Sequence, residues 1–350
     1  MYSFNQLLPF LSIFLILHLS GQKGFQVEGS QLNDAATKMF VFGDSYADTG
    51  NIRKSLSSSW KDPYGITFPG KPTGRFSDGR VLTDFIARYL KVKSPVPYRL
   101  RKLMPQHMKY GLNFAVGGTG VFDTSTGGPN MTTQIDLLQL AIKGKVYSAS
   151  DLNNSVALVS VAGNDYSHYI ATNGTAEGLL SFVPVVVNQT INNLIRIKGL
   201  GVKKIVMAGL QPLGCLPTVT ATSSFQQCNT TTNDLVLLHN NLLTQAVTTL
   251  NQQTNNDHSS FIVLNLYDSF MSVLNHPSTH NIQNELKPCC AGVSSEYSCG
   301  SVDQNNGKKY VVCDNPKSAF FWDMVHPTEA GWHAVYSKLR ITNALQQIHY

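Results

Sequence analysis

Charged side chains are scarce in this chain of 350 residues. Asp, Glu, Lys and Arg together supply 14% of it, against about 25% in an ordinary soluble domain. The formal net charge is +6, and the basic residues are scattered instead of forming a run. This pattern gives little support to nucleic-acid binding. A mild positive balance favours acidic polysaccharide as a partner of a secreted protein, although an ordinary solvated surface is the simpler interpretation.

The chain also lacks a Gly/Ser-rich or Pro-rich linker, an internal repeat, and an apolar run long enough to cross a membrane. The longest run covers residues 7–19, shorter than the ~20 apolar residues that a bilayer requires. Small and polar residues follow it at Ser20, Gly21 and Gly24. We therefore predict a signal peptide at about residues 1–24, although no Lys or Arg precedes the run. One domain at residues 36–347 is expected to follow, with no membrane span.

Zinc-binding spacings are missing as well: there is no Cys-x-x-Cys and no His-Glu-x-x-His. The even number of cysteines predicts three disulfides formed in an oxidising compartment, with zinc as the weaker alternative. Six cysteines allow 15 pairings. A local pair, Cys215 with Cys228, is the simplest guess. The six disulfide candidates are Cys215, Cys228, Cys289, Cys290, Cys299 and Cys313.

Five Asn-x-Ser/Thr sequons are present, and a chain that enters the secretory path can be glycosylated at such sites. Glycans would help to keep a surface that is poor in charge hydrated. Together with the apolar N-terminal run and the cysteines, the sequons predict a secreted, extracellular glycoprotein. The predicted glycosylation sites are Asn130, Asn153, Asn173, Asn188 and Asn229.

Short apolar runs of strand length alternate with segments of helical periodicity. The runs predict five strands, at residues 39–42, 112–116, 155–162, 204–209 and 261–266. Helices are predicted at residues 81–90, 179–198 and 234–250, with Pro184 implying a late start or a kink in the second. Parallel strands need crossover connections, and both faces of their sheet must be buried. The alternation therefore predicts an α/β fold, with a mainly parallel five-stranded sheet covered by helices on both faces.

Chemically competent residues stand where predicted strands end, which in a parallel sheet is the edge that binds ligands. Ser45 is the candidate nucleophile, and its hydroxyl needs a neighbouring base. His326 is the candidate base, because Asp323 precedes it by three residues and a tight turn would bring the carboxylate to the imidazole. Taken alone, Ser45 and Asp323 also suit helix caps. His168, near Asn164, is the rival base, but it has no carboxylate at matching spacing and is predicted as a surface or loop residue.

An attacked ester carbonyl develops negative charge on its oxygen, which needs hydrogen-bond donors already aimed at it. The backbone N–H groups of Ser45 and Gly118 and the side-chain amide of Asn164 are the predicted donors, and glycine permits close approach to a ligand. In isolation, Gly117 and Gly118 also suit an ordinary turn, and Asn164 an Asx-turn.

These motifs, in this order, resemble those of the SGNH hydrolases, also called the GDSL esterase/lipase family, and specifically its plant secreted branch. The resemblance runs from about residue 39 to about residue 345. It includes Phe-Gly-Asp-Ser-Tyr-Ala-Asp-Thr-Gly-Asn at 42–51, Gly-Arg-Phe-Ser-Asp-Gly-Arg at 74–80, Asn-Phe-Ala-Val-Gly-Gly at 113–118, Val-Ala-Gly-Asn-Asp at 161–165, Gln-Pro-Leu-Gly-Cys-Leu-Pro at 211–217, Lys-Pro-Cys-Cys at 287–290 and Phe-Trp-Asp-Met-Val-His-Pro at 321–327.

The resemblance implies a three-layer α/β/α, flavodoxin-like fold and a metal-free hydrolase of carboxylic esters that needs no cofactor. It implies Ser45 as nucleophile, Asp323 and His326 as the rest of a triad, and Gly118 and Asn164 as oxyanion donors. Expected substrates are lipid, acylated-sugar or phenolic esters, free or linked to a cell-wall polysaccharide in the wall or apoplast. An acyltransferase with an alcohol acceptor and a non-catalytic extracellular binding protein are the alternatives.

Overall fold

A six-stranded parallel sheet forms the centre of the structure, a computed structural model that describes residues 36–253 and 260–348. The signal peptide predicted at residues 1–24 lies outside the described residues. Every strand pairing in the sheet is parallel. The strands are β1 (Lys38–Gly43), β2 (Val96–Pro97), β3 (Leu112–Asn113), β4 (Ser155–Ser160), β5 (Lys204–Ala208) and β6 (Phe261–Leu264).

All five predicted strands are present, and within the central sheet the prediction misses only β2. This strand has two residues, one of them Pro97, and so leaves no strand-like pattern in the sequence. The predicted strand at 112–116 is assigned over Leu112–Asn113 only. Its contact with β1 nevertheless continues, because Phe114 N–H donates to Val41 O at 2.7 Å and Val116 N–H donates to Gly43 O at 3.0 Å.

The strands lie in the spatial order β2-β3-β1-β4-β5-β6. Without the short β2, this is the order of flavodoxin-like sheets, in which the chain leaves the first strand toward one side and later crosses to the other. Ligands bind such sheets beyond the carboxyl ends of the strands at the point where the direction changes. Here that point lies at β1, which ends at Gly43, immediately before Asp44 and Ser45.

Helices cover both faces of the sheet and make the three layers that the resemblance implies. The described α-helices are α1 (Leu82–Tyr89), α2 (Met131–Lys143), α3 (Ala149–Asn153), α4 (Gly163–Ala171), α5 (Ala176–Gly199), α6 (Pro217–Thr220), α7 (Thr230–Gln253), α8 (Leu266–Asn275) and α9 (Glu329–Ile341). Alternate β1 side chains point to the two faces of the sheet. Met39 and Val41 pack into one core cluster with helices α1, α8 and α9, and Phe40 and Phe42 pack into the other with α2, α5 and α7.

Helix α5 contains Pro184 without starting after it, so the predicted late start is wrong. The helix begins at Ala176, where the hydroxyl of Thr175 caps it by accepting a hydrogen bond from Gly178 N–H at 3.0 Å. Although polar residues interrupt the apolar sequence here, Glu177–Gly199 is the one stretch among the described residues that is long and apolar enough, by length and composition, to cross a membrane. Val186 and Leu194 on this helix are fully buried in the core beside the sheet.

Two small sheets follow α8 along the chain. Strand β7 (Asn284–Pro288) pairs with β10 (Ala319–Phe321), and β8 (Cys290–Gly292) pairs with β9 (Tyr310–Val312). All six cysteines form disulfides, and the predicted pair, Cys215 with Cys228, is among them. The other pairs are Cys289 with Cys313 and Cys290 with Cys299.

The disulfide-bonded segment braces the chain just before Asp323. Cys289 N–H donates to Phe321 O at 3.0 Å, and Cys290 N–H donates to Trp322 O at 2.6 Å. Each of these cysteines is also tied to a more distant part of the chain through its disulfide. The backbone that leads into Asp323 is therefore hydrogen-bonded to a segment that two disulfides crosslink.

Candidate active site

Ser45, His326 and Asp323 meet at the carboxyl edge of the sheet. The Ser45 Oγ and the His326 Nε2 are 2.8 Å apart although 281 residues separate them. The His326 Nδ1 lies 2.9 Å from each carboxylate oxygen of Asp323. With the carboxylate as acceptor, Nδ1 carries the imidazole proton and Nε2 is left to accept the hydrogen bond from Ser45. This is the order nucleophile, base and orienting carboxylate that acyl-transfer chemistry requires.

A tight turn brings Asp323 to His326, as the spacing predicts. The Asp323 Oδ1 accepts hydrogen bonds from the backbone N–H groups of Val325 at 2.9 Å and His326 at 2.8 Å. Trp322 N–H donates to His326 O at 2.7 Å and closes the turn. Burial alone would raise the pKa of Asp323, but the charge on His326 and these hydrogen bonds together hold that pKa below its usual value. The carboxylate is therefore ionised at neutral pH.

Tyr64 is a fourth side chain at the triad. Its hydroxyl donates a hydrogen bond to the Asp323 Oδ2 at 2.8 Å, and only 3% of the residue is exposed. The tyrosine lies in the Gly- and Pro-rich segment at 60–77. Its role cannot be predicted from the sequence, because no charge or motif spacing marks this tyrosine. Burial and the neighbouring Asp323 charge both raise the pKa of Tyr64, which keeps the phenol protonated as a donor.

The segment at 74–80, noted above only for its resemblance, holds the loop of His326 in place. The Phe76 ring lies 4.8 Å from the imidazole, centroid to centroid. Ser77 Oγ donates to Pro327 O at 3.0 Å, and the Asp78 carboxylate accepts from Glu329 N–H at 2.7 Å. These contacts attach both the base and the first turn of α9 to the loop, so the motif is a support for the imidazole.

The backbone N–H groups of Ser45, Gly117 and Gly118 differ in whether they already donate a hydrogen bond. Neither Ser45 N–H nor Gly118 N–H donates a hydrogen bond to any atom in the part of the chain that the structure describes. Gly117 N–H, by contrast, donates to the Asp48 carboxylate at 3.0 Å. This difference favours Gly118 over Gly117 as the donor. Gly118 has a φ of +82°, a left-handed conformation that suits glycine.

Asn164 is the third predicted donor and lies in the first turn of α4. Its amide Nδ2 donates to Thr119 O at 3.0 Å and approaches the Asp44 Oδ2 at 3.5 Å. The first contact holds the amide beside the loop of Gly118. The adjoining Asp165 accepts from Val121 N–H and Phe122 N–H, each at 2.9 Å. The Gly-Asn-Asp motif thus connects α4 to the loop that contains Gly118.

Asp48 holds the backbone that follows Ser45, as Asp165 holds the backbone that follows Gly118. Its carboxylate accepts four backbone hydrogen bonds: from Gly50 at 2.7 Å, Asn51 at 2.6 Å, Ile52 at 3.1 Å and Gly117 at 3.0 Å. The residue is fully buried, which raises its pKa to about 6 despite those bonds. One carboxylate therefore ties the turn after Ser45 to the loop of Gly118, and so links the candidate nucleophile to a predicted oxyanion donor.

His168, the rival base, lies in helix α4 and not in a loop. Its Nδ1 is 2.9 Å from the hydroxyl of Ser125, and no ion pair joins it to a carboxylate within the described ranges. The structure therefore gives the carboxylate partner to His326 alone of these two histidines.

Asp44, beside the nucleophile, carries a strongly perturbed carboxyl. Burial raises its pKa to about 7, the Asp165 charge adds to the effect, and His326 and the hydrogen bond from Tyr46 N–H oppose it. An acid whose pKa is raised on folding binds an extra proton in the native state between its unfolded and folded values. Its contribution to stability is complete below pH 4 and is lost as the pH rises toward 7.

We expect Asp44→Asn to remove this loss of stability between pH 4 and pH 7. Relative to wild type, the free energy of unfolding of the variant should rise between pH 4 and pH 7, by at most about 1.4 kcal/mol for each pH unit. Urea unfolding curves of both proteins over this range provide the measurement, and Asp314→Asn, at an exposed side chain, is the control. Parallel pH curves for Asp44→Asn and wild type would contradict the assignment.

The predicted glycosylation sites differ in exposure. Asn153, Asn173, Asn188 and Asn229 are exposed, whereas Asn130 is half-buried. Asn130 also caps α2, because its Oδ1 accepts from Thr133 N–H at 2.9 Å. Glycosylation at these positions stays a prediction.

The chain is similar to known proteins over most of its length. A family model described as GDSL-like lipase/acylhydrolase matches residues 39–339. Two Arabidopsis thaliana proteins, each described as a GDSL esterase/lipase, are 57% identical over 341 residues and 51% identical over 337 residues. The alignments cover 94% of this chain in both cases and 94% and 95% of the relatives. Acetylajmalan esterase 2 from Rauvolfia serpentina is 31% identical, over 83% of this chain and 86% of the relative.

Solved structures are more distant. An acetylxylan esterase from Geobacillus stearothermophilus aligns with 87% of this chain and 94% of its own at 14% identity and a TM-score of 0.41, too low to support a statement about activity. The family model and the two relatives above 50% identity are sufficient to assign the chain to a family. The chain belongs to the GDSL-like lipase/acylhydrolase family.

Proposed function

We propose that the protein is a secreted serine esterase in which Ser45 attacks the carbonyl carbon of a carboxylic ester. The family and its relatives make the chain an ester-bond hydrolase at the coarse level. The observation that carries the finer assignment is the 2.8 Å contact between the Ser45 Oγ and the His326 Nε2. A hydroxyl at that distance can pass its proton to the imidazole as it attacks.

The proposed reaction has two halves. Ser45 Oγ bonds to the carbonyl carbon while its proton moves to the His326 Nε2, and Asp323 stabilises the imidazolium. The carbonyl oxygen gains charge beside the N–H groups of Ser45 and Gly118 and the amide of Asn164. The ester C–O bond then breaks, and the leaving alcohol takes the proton from Nε2. Water repeats these steps on the acyl-enzyme and releases the acid and free Ser45.

The substrate range that we propose is carboxylic esters of lipids, acylated sugars or phenols, including esters linked to cell-wall polysaccharide. Secretion to the cell wall or apoplast belongs to the same proposal. The three disulfides support it, because such bonds persist in oxidising compartments. The four exposed sequons are compatible with it.

Labelling with a fluorophosphonate probe tests the nucleophile directly. We expect the probe to phosphonylate Ser45, and tryptic mass spectrometry should place the adduct on the peptide that contains it. The probe needs an activated serine, so unreactive protein would favour the binding-protein alternative. Hydrolysis of short-chain p-nitrophenyl esters, with and without an added alcohol acceptor, then measures how the acyl-enzyme partitions between water and alcohol.

Tyr64→Phe should lower kcat by about tenfold and leave KM unchanged, since a hydrogen bond to a charged group is worth roughly 1.5–3 kcal/mol. Without this donor the pKa of Asp323 should rise, so the acidic limb of the kcat profile should move to higher pH. Both are readouts that a packing defect alone would not produce. Tyr310→Phe removes a hydroxyl from the same buried cluster without touching Asp323, and is the matched control. Equal kcat values for the two variants would refute a role for the Tyr64 hydroxyl.

A further inference from the structure

A cavity of about 600 Å³ lies beside the loop that carries Gly118. Its wall comes from the segment at 51–56, from the end of β3 with the residues after it, and from the loop at 125–129. This volume suits a small organic ligand. Ser45 and His326 do not line the cavity, so it lies next to the reacting atoms instead of around them.

Gly117 connects the cavity to the triad. It lines the cavity, and it immediately precedes the proposed oxyanion donor Gly118. A Cβ at Gly117 would come within 2.4 Å of the Phe76 ring, which in turn packs on the imidazole of His326. Gly117 and the Phe76 ring therefore lie between the cavity and the imidazole of His326.

The interior of the cavity is apolar and its mouth is basic. Phe114 is 1% exposed and lies at the inner wall with Val116, whereas Leu56 at the mouth is 64% exposed. Arg53 and Arg99 are both exposed and also line the cavity. Among the described residues that line it, none is acidic. The cavity thus presents positive charge with no compensating carboxylate.

The two guanidinium groups differ in what holds them. The Arg99 Nη1 donates to Ile52 O at 3.0 Å, and its guanidinium carbon lies 5.8 Å from the centroid of the Trp60 ring. The Arg53 guanidinium makes no hydrogen bond or ion pair with the described residues, and only the backbone carbonyl of Arg53 is engaged, by Leu56 N–H at 3.0 Å. One arginine is therefore positioned and the other is free. Arginine is the side chain best suited to bind a carboxylate through two parallel hydrogen bonds.

We propose that this cavity binds the acyl portion of the substrate and selects acids whose apolar body ends in a second carboxylate. The inference rests on the proposed function, because it assumes an ester held at Ser45. The leaving alcohol must take its proton from the His326 Nε2, so the alcohol portion lies on the side of the imidazole. The acyl portion extends away from Nε2, along the loop of Gly118, toward Arg53 and Arg99.

A matched pair of substrates tests the proposal. The p-nitrophenyl ester of octanoic acid and the mono-p-nitrophenyl ester of suberic acid share chain length and leaving group and differ in one terminal carboxylate. Wild type should hydrolyse the suberate ester with a kcat/KM up to about fivefold higher, as expected for one charge-assisted contact at an exposed site. Added salt should reduce this preference, because exposed charges are screened.

Arg53→Gln should abolish the preference by lowering kcat/KM for the suberate ester, and its circular dichroism spectrum should match that of wild type, which verifies the fold. Lys54→Gln makes the same charge change one residue away, at a side chain that does not line the cavity, and should keep the preference. Equal rates on the two esters in wild type, or a preference that survives in Arg53→Gln, would overturn the assignment of the cavity alone. If wild type hydrolyses neither ester and the fluorophosphonate does not label it, the esterase proposal fails and this inference fails with it.

Discussion

Ser45→Ala is expected to abolish ester hydrolysis, with kcat reduced by at least about 10⁵-fold, as for removal of the nucleophile in other serine hydrolases. The hydroxyl has one hydrogen-bond partner in the described structure, the His326 Nε2. No backbone group depends on it, so the variant should keep its fold and its melting temperature. The loss would therefore be chemical and not structural.

The measurement is p-nitrophenyl acetate hydrolysis by purified protein at matched concentrations, with circular dichroism to verify the fold. Ser269→Ala is the control, because Ser269 is 5% exposed on α8 and its hydroxyl donates to Asn265 O at 2.8 Å, far along the chain from the triad. It removes an equally buried serine hydroxyl and should retain full activity. Comparable rates for Ser45→Ala and wild type would mean that another group carries out the attack.

The central sheet is predictable from sequence because β1, β4, β5 and β6 are short, continuous apolar runs with turn residues after them. Both faces of a parallel sheet are buried, so such strands need no polar alternation. The strand β2 cannot be predicted from the sequence, because its two residues, Val96–Pro97, form no apolar run. It exists as a strand through its pairing with β3. Helix α9 was also missed, although Thr328 caps it through a hydrogen bond from Gly331 N–H at 2.9 Å.

The residues of the candidate site likewise divide into those that can be predicted from the sequence and those that cannot. Ser45, Asp323 and His326 were predictable because their residue types, their spacing and their positions after strands all carry information about chemistry. Tyr64 and Phe76 were not, since an aromatic residue in a long loop is compatible with many positions and its contact with the triad depends on the path of that loop. Asp48 falls between them: its acidic side chain lies within the shared motif, but its four backbone partners appear only when the loops are in place.

The second large effect is expected for Asp323→Asn, at about 10⁴-fold in kcat by analogy with the same change in a serine protease triad. The two oxygens of Asp323 have different partners. Oδ1 accepts from the N–H groups of Val325 and His326, while Oδ2 accepts from Tyr64, and both contact Nδ1 of the imidazole. Asparagine keeps only one acceptor oxygen, so it cannot satisfy both sets.

If the Asn oxygen keeps the two backbone hydrogen bonds, its NH₂ group takes the place of Oδ2 and donates to Nδ1. The imidazole must then carry its proton on Nε2, where it points at Ser45 and cannot accept the hydroxyl proton. The reverse orientation leaves two N–H groups of the turn without an acceptor, which costs stability. Steady-state kinetics should therefore show a loss in kcat with little change in KM, and exposed Asp314→Asn should match wild type. A kcat within tenfold of wild type would mean that Asp323 does not set the tautomer, and that the turn and Phe76 alone orient the base.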